Sequence, residues 1–209
     1  MADEEPEHVF MSPECRVWSQ MQEMNLRTPE DHENLKEERR RHHNDHLTFV
    51  RQIYDMQQQG GRHAHIEQPA YAKSWKTKAL KDLAGYFVYF DQCMLGLTIP
   101  GCGLARKRTA IRTTKKGLVD ALIPHQCDGQ HEHVTLKGSV PGSGVAKTKF
   151  AEDYPVELCS VLADGMLSKE ECDVCYYTAG DIFLEDEDQT TTTTTTTNTW
   201  TLQIFAKTN

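Results

Sequence analysis

In the stretch GGRHAHIEQP, residues 60–69, a glycine pair closes one element and a proline closes the next. Glycines after an amphipathic run mark a helix C-terminus, because glycine takes the left-handed conformation there without strain. The residues that follow, His63 to Glu67, are predicted to form a strand. Pro69 stops it, having no N–H to give a neighbouring strand. Glu67 is thereby placed at the strand's carboxyl end.

Upstream, Thr28-Pro29-Glu30-Asp31 reads as a helix start, with an N-cap threonine, proline at the first helical position and acids in the first turn. The helix is predicted to run to about Gln59. Its first half is charged; its second half carries Leu47, Val50, Ile53, Tyr54 and Met56 at the spacing of one apolar face. Before it, Val9 to Met11 reads as a short buried strand. Downstream, Trp75, Ala79, Leu80 and Leu83 suggest a second amphipathic helix, and Tyr86 to Phe90 suits a strand buried on both faces. Gly96 to Gly103 reads as a turn-rich loop and Arg108 to Arg112 as a further strand. Strand, helix, strand, helix, strand predicts an α/β fold, a mainly parallel sheet with flanking helices.

The pattern weakens after residue 114. Gly117 to Ile123 and Pro155 to Met166 are expected as helices, and Gly138 to Gly144 as a flexible loop. The expected organisation is an acidic tail over 1–7, the α/β region over 8–114, a Cys/His loop with a helical extension over 115–180, and a tail over 181–209. That tail is acidic and then runs through Thr190 to Thr197, with no apolar pattern to bury, and is expected to be disordered. Trp200, Leu202, Ile204 and Phe205 alternate loosely, as an edge strand would.

The 209 residues carry a formal net charge of −8, so the chain as a whole is not an electrostatic nucleic-acid binder. A mean hydropathy of −0.63 places part of it outside any core. The charges are segregated: acids cluster at Asp3 to Glu7 and Glu185 to Asp188, bases at Arg39 to Arg41 and from Arg106-Lys107-Arg108 through Lys116. A local basic surface survives the acidic total. Seven cysteines, an odd number, with no apolar leader at the acidic N-terminus, point to free thiols in a reducing, intracellular compartment. No apolar run approaches the length of a membrane span, so no membrane partner is expected.

Three groups of residues have chemical potential. Cys15 follows Ser12-Pro13-Glu14, and the residues after it suggest a short helix through Met24. A thiol at a helix N-terminus is activated as a nucleophile; an inert, partly buried cysteine is the alternative. Glu67 and Cys15 both fall at strand carboxyl ends, where open α/β sheets build their sites, and Arg106 and Arg108 begin a later strand. The second group is HQCDGQHEHV, residues 125–134, in which Cys127, His131 and His133, with His125 nearby, offer ligands for Zn²⁺ and Cys102 is a possible fourth. Cys172-Asp173-Val174-Cys175 is a C-x-x-C without a second pair. The third is His42 and His46, a helical i, i+4 pair beside Arg39 to Arg41, where a solvated face or a phosphate contact competes with metal binding.

The order of these motifs resembles the later half of the cytosine-C5 DNA methyltransferase pattern. That pattern has a nucleophilic cysteine in a Pro-Cys turn, a Glu-Asn-Val strand end and a Gln-x-Arg-x-Arg segment. Here SPECRVWS (12–19), Glu67-Gln68-Pro69 and LARKR (104–108) stand at those places. The chain is more closely similar to the methyltransferase-like segment of Copia-type retrotransposon polyproteins of microalgae. The similarity runs over residues 8–167, on SPECRVWSQMQEMN, HIEQPAYAKSW, DQCMLGL, RKRTAIRT, CDGQHEH and YPVELCSVLADGM.

The resemblance implies the later half of a class I methyltransferase fold. It implies Cys15 as the thiolate that adds to cytosine C6, and Glu67 as the carboxylate that holds the edge of a flipped base. Arg106 and Arg108 would support base or phosphate, S-adenosylmethionine would be the methyl donor, and the location would be nuclear if the substrate is DNA. The departures are expected to matter. Glu14 replaces the proline before the cysteine, Gln68-Pro69 replaces Asn-Val, and Leu104 replaces the glutamine. A Gly-rich cofactor-binding half is expected upstream of Val9, and S-adenosylmethionine binding would need it supplied. Three functions follow: a methyltransferase-like fragment that handles nucleic acid, a non-enzymatic nucleic-acid or protein binding module with a Cys/His metal loop, or a remnant that folds poorly alone.

Overall fold

The computed structural model describes residues 5–24 and 26–169. The Cys172–Cys175 motif, the predicted tail over 181–209 and its threonine run lie outside the described residues.

Strand β1 (His8–Met11) leads through a 3₁₀ turn at Arg16–Trp18 and a short helix α1 (Gln20–Met24) to α2 (Pro29–His42). Helix α2 starts as its sequence dictates. The Thr28 hydroxyl accepts from the Asp31 N–H at 3.1 Å, and the Asp31 carboxylate accepts from the Thr28 N–H at 2.9 Å. The predicted single helix is interrupted by a π-helical turn over His43–Leu47 before α3 (Thr48–Gln59). Such a turn inserts one residue and resets the apolar stripe. Thr48 supports it by donating its hydroxyl proton to the His43 carbonyl at 2.9 Å. Beyond it, Val50 and Tyr54 are buried.

Strand β2 (His63–Pro69) pairs parallel with β1, His8 beside His63 and Met11 beside Ile66. The amphipathic helix expected over residues 75–83 does not form. A 3₁₀ turn at Lys73–Lys76 and further turns take its place. The Thr77 hydroxyl donates to the Ser74 carbonyl at 2.7 Å, and the Trp75 indole N–H to the Pro69 carbonyl at 3.1 Å. These short-range bonds give the backbone an alternative to the helix. Ala79, Leu80 and Leu83 are buried all the same.

Strand β3 (Tyr86–Asp91) is followed by a lobe that contains a two-strand hairpin, β4 (Thr98–Ile99) with β5 (Gly103–Leu104), where a loop was expected. The chain then returns as β6 (Arg108–Thr113). The four-stranded sheet has the order β1-β2-β6-β3. Strand β6 runs antiparallel to both neighbours, with Glu67 opposite Ile111 and Val88 opposite Ile111. The sheet is therefore mixed rather than mainly parallel: β1, β2 and β3 point one way, and β6 is inserted against them. The reason is the lobe after β3, which brings the chain back at the same end; an antiparallel neighbour needs no crossover.

Helices cover both faces. On one, Leu47, Val50 and Tyr54 pack with Ala64, Ile66, Leu80, Leu83, Val17 and Trp18. On the other, α4 (Lys116–Leu122) and α6 (Val156–Leu167) bring Leu118, Leu122, Leu158 and Leu162 onto Val88, Phe90 and Ile111. One core thus continues across residue 114. Between the last two helices lies a short α5 (Lys147–Phe150), beside a third cluster formed by Leu97, Ile99, Ala105, Val140 and Ala151. No helix among the described residues is long and apolar enough to cross a membrane.

Helix α6 lies so close to α4 that a Cβ on Gly165 would stand 2.9 Å from the Leu118 Cα and 3.0 Å from the Ala121 Cβ. Gly165→Val is expected to destabilise the fold by about 2 kcal/mol, the usual cost of overpacking, despite valine's better helix propensity; the midpoint of urea unfolding measures it.

The register of β1 with β2 stacks His8 on His63 and on His65 at ring-centroid distances of 4.9 and 5.4 Å. His65 is fully buried, with Thr113 Oγ1 at 2.7 Å and His8 Nδ1 at 3.1 Å. Burial, then the neighbouring His8, His63 and Lys115, lowers its pKa to about 3. Below pH ~6.5 the unfolded chain takes this proton while the folded chain refuses it until about pH 3, so folding stability falls as pH falls through that window. Unfolding free energies between pH 6 and pH 4 are expected to drop more steeply, by about 1.4 kcal/mol per pH unit, in the wild type than in His65→Gln.

Candidate functional site

Because β6 runs against its neighbours, the carboxyl ends of β1, β2 and β3 and the amino end of β6 share one edge of the sheet. Cys15, Glu67, Arg106 and Arg108 all fall along it. The turn after β1 is fastened to β2. The buried Gln68 amide donates to the Pro13 carbonyl and accepts from the Ser74 hydroxyl at 3.0 Å. Ser12 Oγ donates to Glu67 Oε2 at 2.7 Å, and the Tyr154 hydroxyl donates to Ser12 Oγ at 3.2 Å. Side chains alternate along β2, so Glu67 shares the α6 face with Tyr154 while Gln68 faces the other way.

Glu67 is 4% exposed, and its second oxygen, Oε1, is buried with no hydrogen-bond partner among the described residues. A buried carboxylate oxygen left unsatisfied costs free energy, and native structures rarely leave one so without use. The charge is felt nearby: burial, then Glu67, pushes the Tyr154 hydroxyl to a higher pKa.

Cys15 does not head a helix as expected. It precedes the three-residue 3₁₀ turn, too short to offer a dipole. Its thiol pKa is raised, first by burial and next by Glu67, with Lys107 opposing. Glu14, one of the departures noted in the sequence, contributes least to this rise and is paired with Arg16 at 3.0 Å. The cysteine therefore rests as a thiol rather than as an activated nucleophile.

Arg106 does not project freely. Its Nε donates to Asp91 Oδ1 at 3.0 Å, and the Asp91 side chain is fully buried. Arg108 lays its guanidinium over the Tyr89 ring at 5.8 Å. Arg106 and Arg108 nonetheless line a groove of about 390 Å³ with Tyr71, whose side chain is exposed. Tyr71 was not anticipated; an aromatic two residues past the strand-ending Pro69 was the available signal.

The Cys/His loop gathers as predicted, with one change of ligand. Cys127 Sγ lies 3.7 Å from His131 Nε2 and 3.4 Å from His133 Nε2. Cys93, on the 3₁₀ turn Gln92–Leu95 that follows β3, brings its Sγ to 3.4 Å from His133 Nε2. All four ligand atoms lie within 4.8 Å of one another. A tetrahedral ion with metal–sulfur bonds of about 2.3 Å and metal–nitrogen bonds of about 2.05 Å needs sulfur–nitrogen edges of about 3.6 Å. The cluster can therefore hold a metal ion. The suggested fourth ligand, Cys102, packs instead against the third apolar cluster, and His125 ends a separate 3₁₀ turn. Cys93 was missed because it is distant in sequence; its place just after the strand-ending Asp91 was the only clue.

The surroundings of this cluster are ordered. Asp91 Oδ2 accepts from the Cys127 N–H at 3.0 Å, and Cys127 Sγ accepts from the Gly129 N–H at 3.4 Å. Burial, then Cys127, pushes the Cys93 thiol up to about 12, so without an ion this sulfur stays protonated. A second group, Glu7, His8 and His63, has an exposed carboxylate 3.9 Å from His8, the geometry of a surface ion pair. His42 and His46 bond each other at 3.0 Å, and the Trp18 indole N–H occupies His42 Nδ1 at 2.9 Å, which ties the π-helical turn to the turn after Cys15.

With iodoacetamide at neutral pH, Cys15 is expected to alkylate several-fold more slowly than the exposed Cys159, and Glu67→Gln is expected to speed Cys15 while leaving Cys159 unchanged; peptide-resolved mass spectrometry reads both. A Cys15 faster than Cys159 would contradict this electrostatic reading. No protein-family model, curated protein or solved structure matches the chain.

Proposed function

We propose that this chain is a methyltransferase-like domain of transposon type that binds a nucleic-acid base at the Cys15–Glu67 edge. The observation that carries the reading is Glu67 Oε1, a buried carboxylate oxygen without a donor among the described residues, near a thiol and at the carboxyl ends of two parallel strands. A cytosine offers an amino group of the kind such a carboxylate accepts from. The strand order supports the reading too: β6, the last strand among the described residues, is inserted antiparallel between two that run together, which suits the later half of a class I methyltransferase sheet.

Tyr71 beside Arg106 and Arg108 supports a nucleic-acid ligand, since an exposed aromatic next to guanidinium groups gives a base something to stack on and a phosphate something to meet. The base must be unpaired to reach Glu67, so single strands or flipped nucleotides are the substrate class.

Binding is favoured over methyl transfer by the thiol itself. Glu67 and burial hold Cys15 protonated, opposite to what addition to a pyrimidine needs. S-adenosylmethionine does not fit the described residues: β1 is followed by Ser12-Pro13-Glu14-Cys15 and β2 by Ala70-Tyr71-Ala72, neither a glycine-rich turn into a helix. No methyl-transfer step is assigned. In the same reading the soft sulfur and imidazole donors make Zn²⁺ the ion for the Cys/His cluster.

Fluorescence anisotropy with a labelled oligo-dC strand tests the proposal. Binding is expected to weaken with salt. Glu67→Gln is expected to lower affinity for oligo-dC about tenfold, and Arg108→Ala to weaken all sequences alike. Affinity unchanged by Glu67→Gln would overturn the assignment of the base edge.

A further inference from the structure

We infer that Cys93, Cys127, His131 and His133 form a closed, four-ligand zinc site of the structural kind, and that its ion fixes the position of Arg106 through Asp91. The inference rests on the zinc reading above and adds the ligand set, the role and the coupling.

The ligand count decides the role. Structural zinc takes four protein ligands, whereas catalytic zinc keeps a position open for water or substrate. Here two sulfurs and two imidazole nitrogens converge, with sulfur–nitrogen separations of 3.4, 3.4 and 3.7 Å. Two thiolates and two neutral imidazoles around Zn²⁺ leave no net charge, which suits a site where Cys93 is buried. Zinc uptake displaces the protons of both thiols to solvent, and no bond to carbon is made or broken.

The segment from Cys127 to His133 has no helix or strand of its own. Among the described residues it is tied to the rest by the Cys127 N–H to Asp91 and by the sulfur of Cys93, and just beyond it the Val134 N–H donates to the Leu104 carbonyl at 2.7 Å. An ion shared between Cys93 on the sheet edge and three ligands on the loop supplies the missing anchor. Asp91 then has two tasks. One carboxylate oxygen receives the Cys127 N–H and the other receives Arg106 Nε at 3.0 Å. Placing Cys127 places Asp91, and Asp91 aims Arg106 at the groove it lines with Arg108 and Tyr71.

The test uses the full chain, purified with zinc and then exchanged with Co²⁺. Wild type and Cys102→Ser are expected to bind one ion per chain and to give the visible spectrum of tetrahedral, two-thiolate Co²⁺. Cys93→Ser is expected to lose that spectrum. Cys93→His, which restores a ligand and guards against misfolding, is expected to bind one ion with a sulfur-to-cobalt band about half as strong. Removing zinc with a chelator is expected to raise amide exchange at Cys127 and to weaken oligo-dC binding at the Arg106 groove. A wild-type spectrum in Cys93→Ser or Cys93→His would overturn the ligand set while leaving zinc in place. An apo protein with unchanged exchange and binding would overturn the coupling. No ion bound by wild type would overturn both the inference and the zinc reading on which it rests.

Discussion

Strand β2 is buried on both faces and still carries His65, Glu67 and Gln68 in its interior. A buried polar group must find a partner or charge the fold for its absence. His65 is met by Thr113 and His8, and Gln68 by the Pro13 carbonyl and Ser74. Those bonds lock β1, β6 and the turn bearing Cys15 onto β2. Among the described residues, Glu67 is met by Ser12 on one oxygen, Oε2, and its Oε1 has no partner. The same strand therefore organises the sheet and leaves one unmet acceptor, at the end where the other chemically capable residues collect.

That collection is a consequence of topology. With β6 inserted against β2 and β3, the chain enters β6 where it leaves β1, β2 and β3. Arg106 to Arg108 precede or begin β6, Asp91 closes β3, Cys93 lies on the turn after it, and the Cys/His loop docks beside them. Elements from three parts of the chain meet at one edge without a long crossover between β3 and β6. The edge is electrostatically matched as well: Asp91 holds Arg106, and Lys107 opposes the rise that Glu67 imposes on the Cys15 thiol.

What could be read from the sequence was local. The Thr28 to Asp31 cap, the strand at His63 and the Cys127-His131-His133 spacing each depend on neighbours a few residues away, and each formed. The helix expected over 75–83 failed because Ser74, Trp75 and Thr77 bond nearby carbonyl and side-chain oxygens instead of continuing a helical ladder. The π-helical turn in the long helix was not legible, since its periodicity differs from an α-helix by a single residue. The antiparallel insertion of β6, the choice of Cys93 over Cys102 and the pairing of Arg106 with Asp91 are long-range outcomes that no local pattern encodes. The protonation of Cys15 illustrates the same limit: Glu14 is its neighbour in sequence, whereas the fold brings Glu67 into the stronger position.

In the function proposed above, Glu67 Oε1 accepts from the amino group of a bound base. The carboxyl ¹³C resonance of Glu67 reports it directly, followed as a single-stranded oligonucleotide with one cytosine is added and compared with the same strand carrying an abasic residue there. The Glu67 resonance is expected to shift with the cytosine strand and to stay in place with the abasic one. A Glu67 resonance that ignores the cytosine while the strand binds would contradict it.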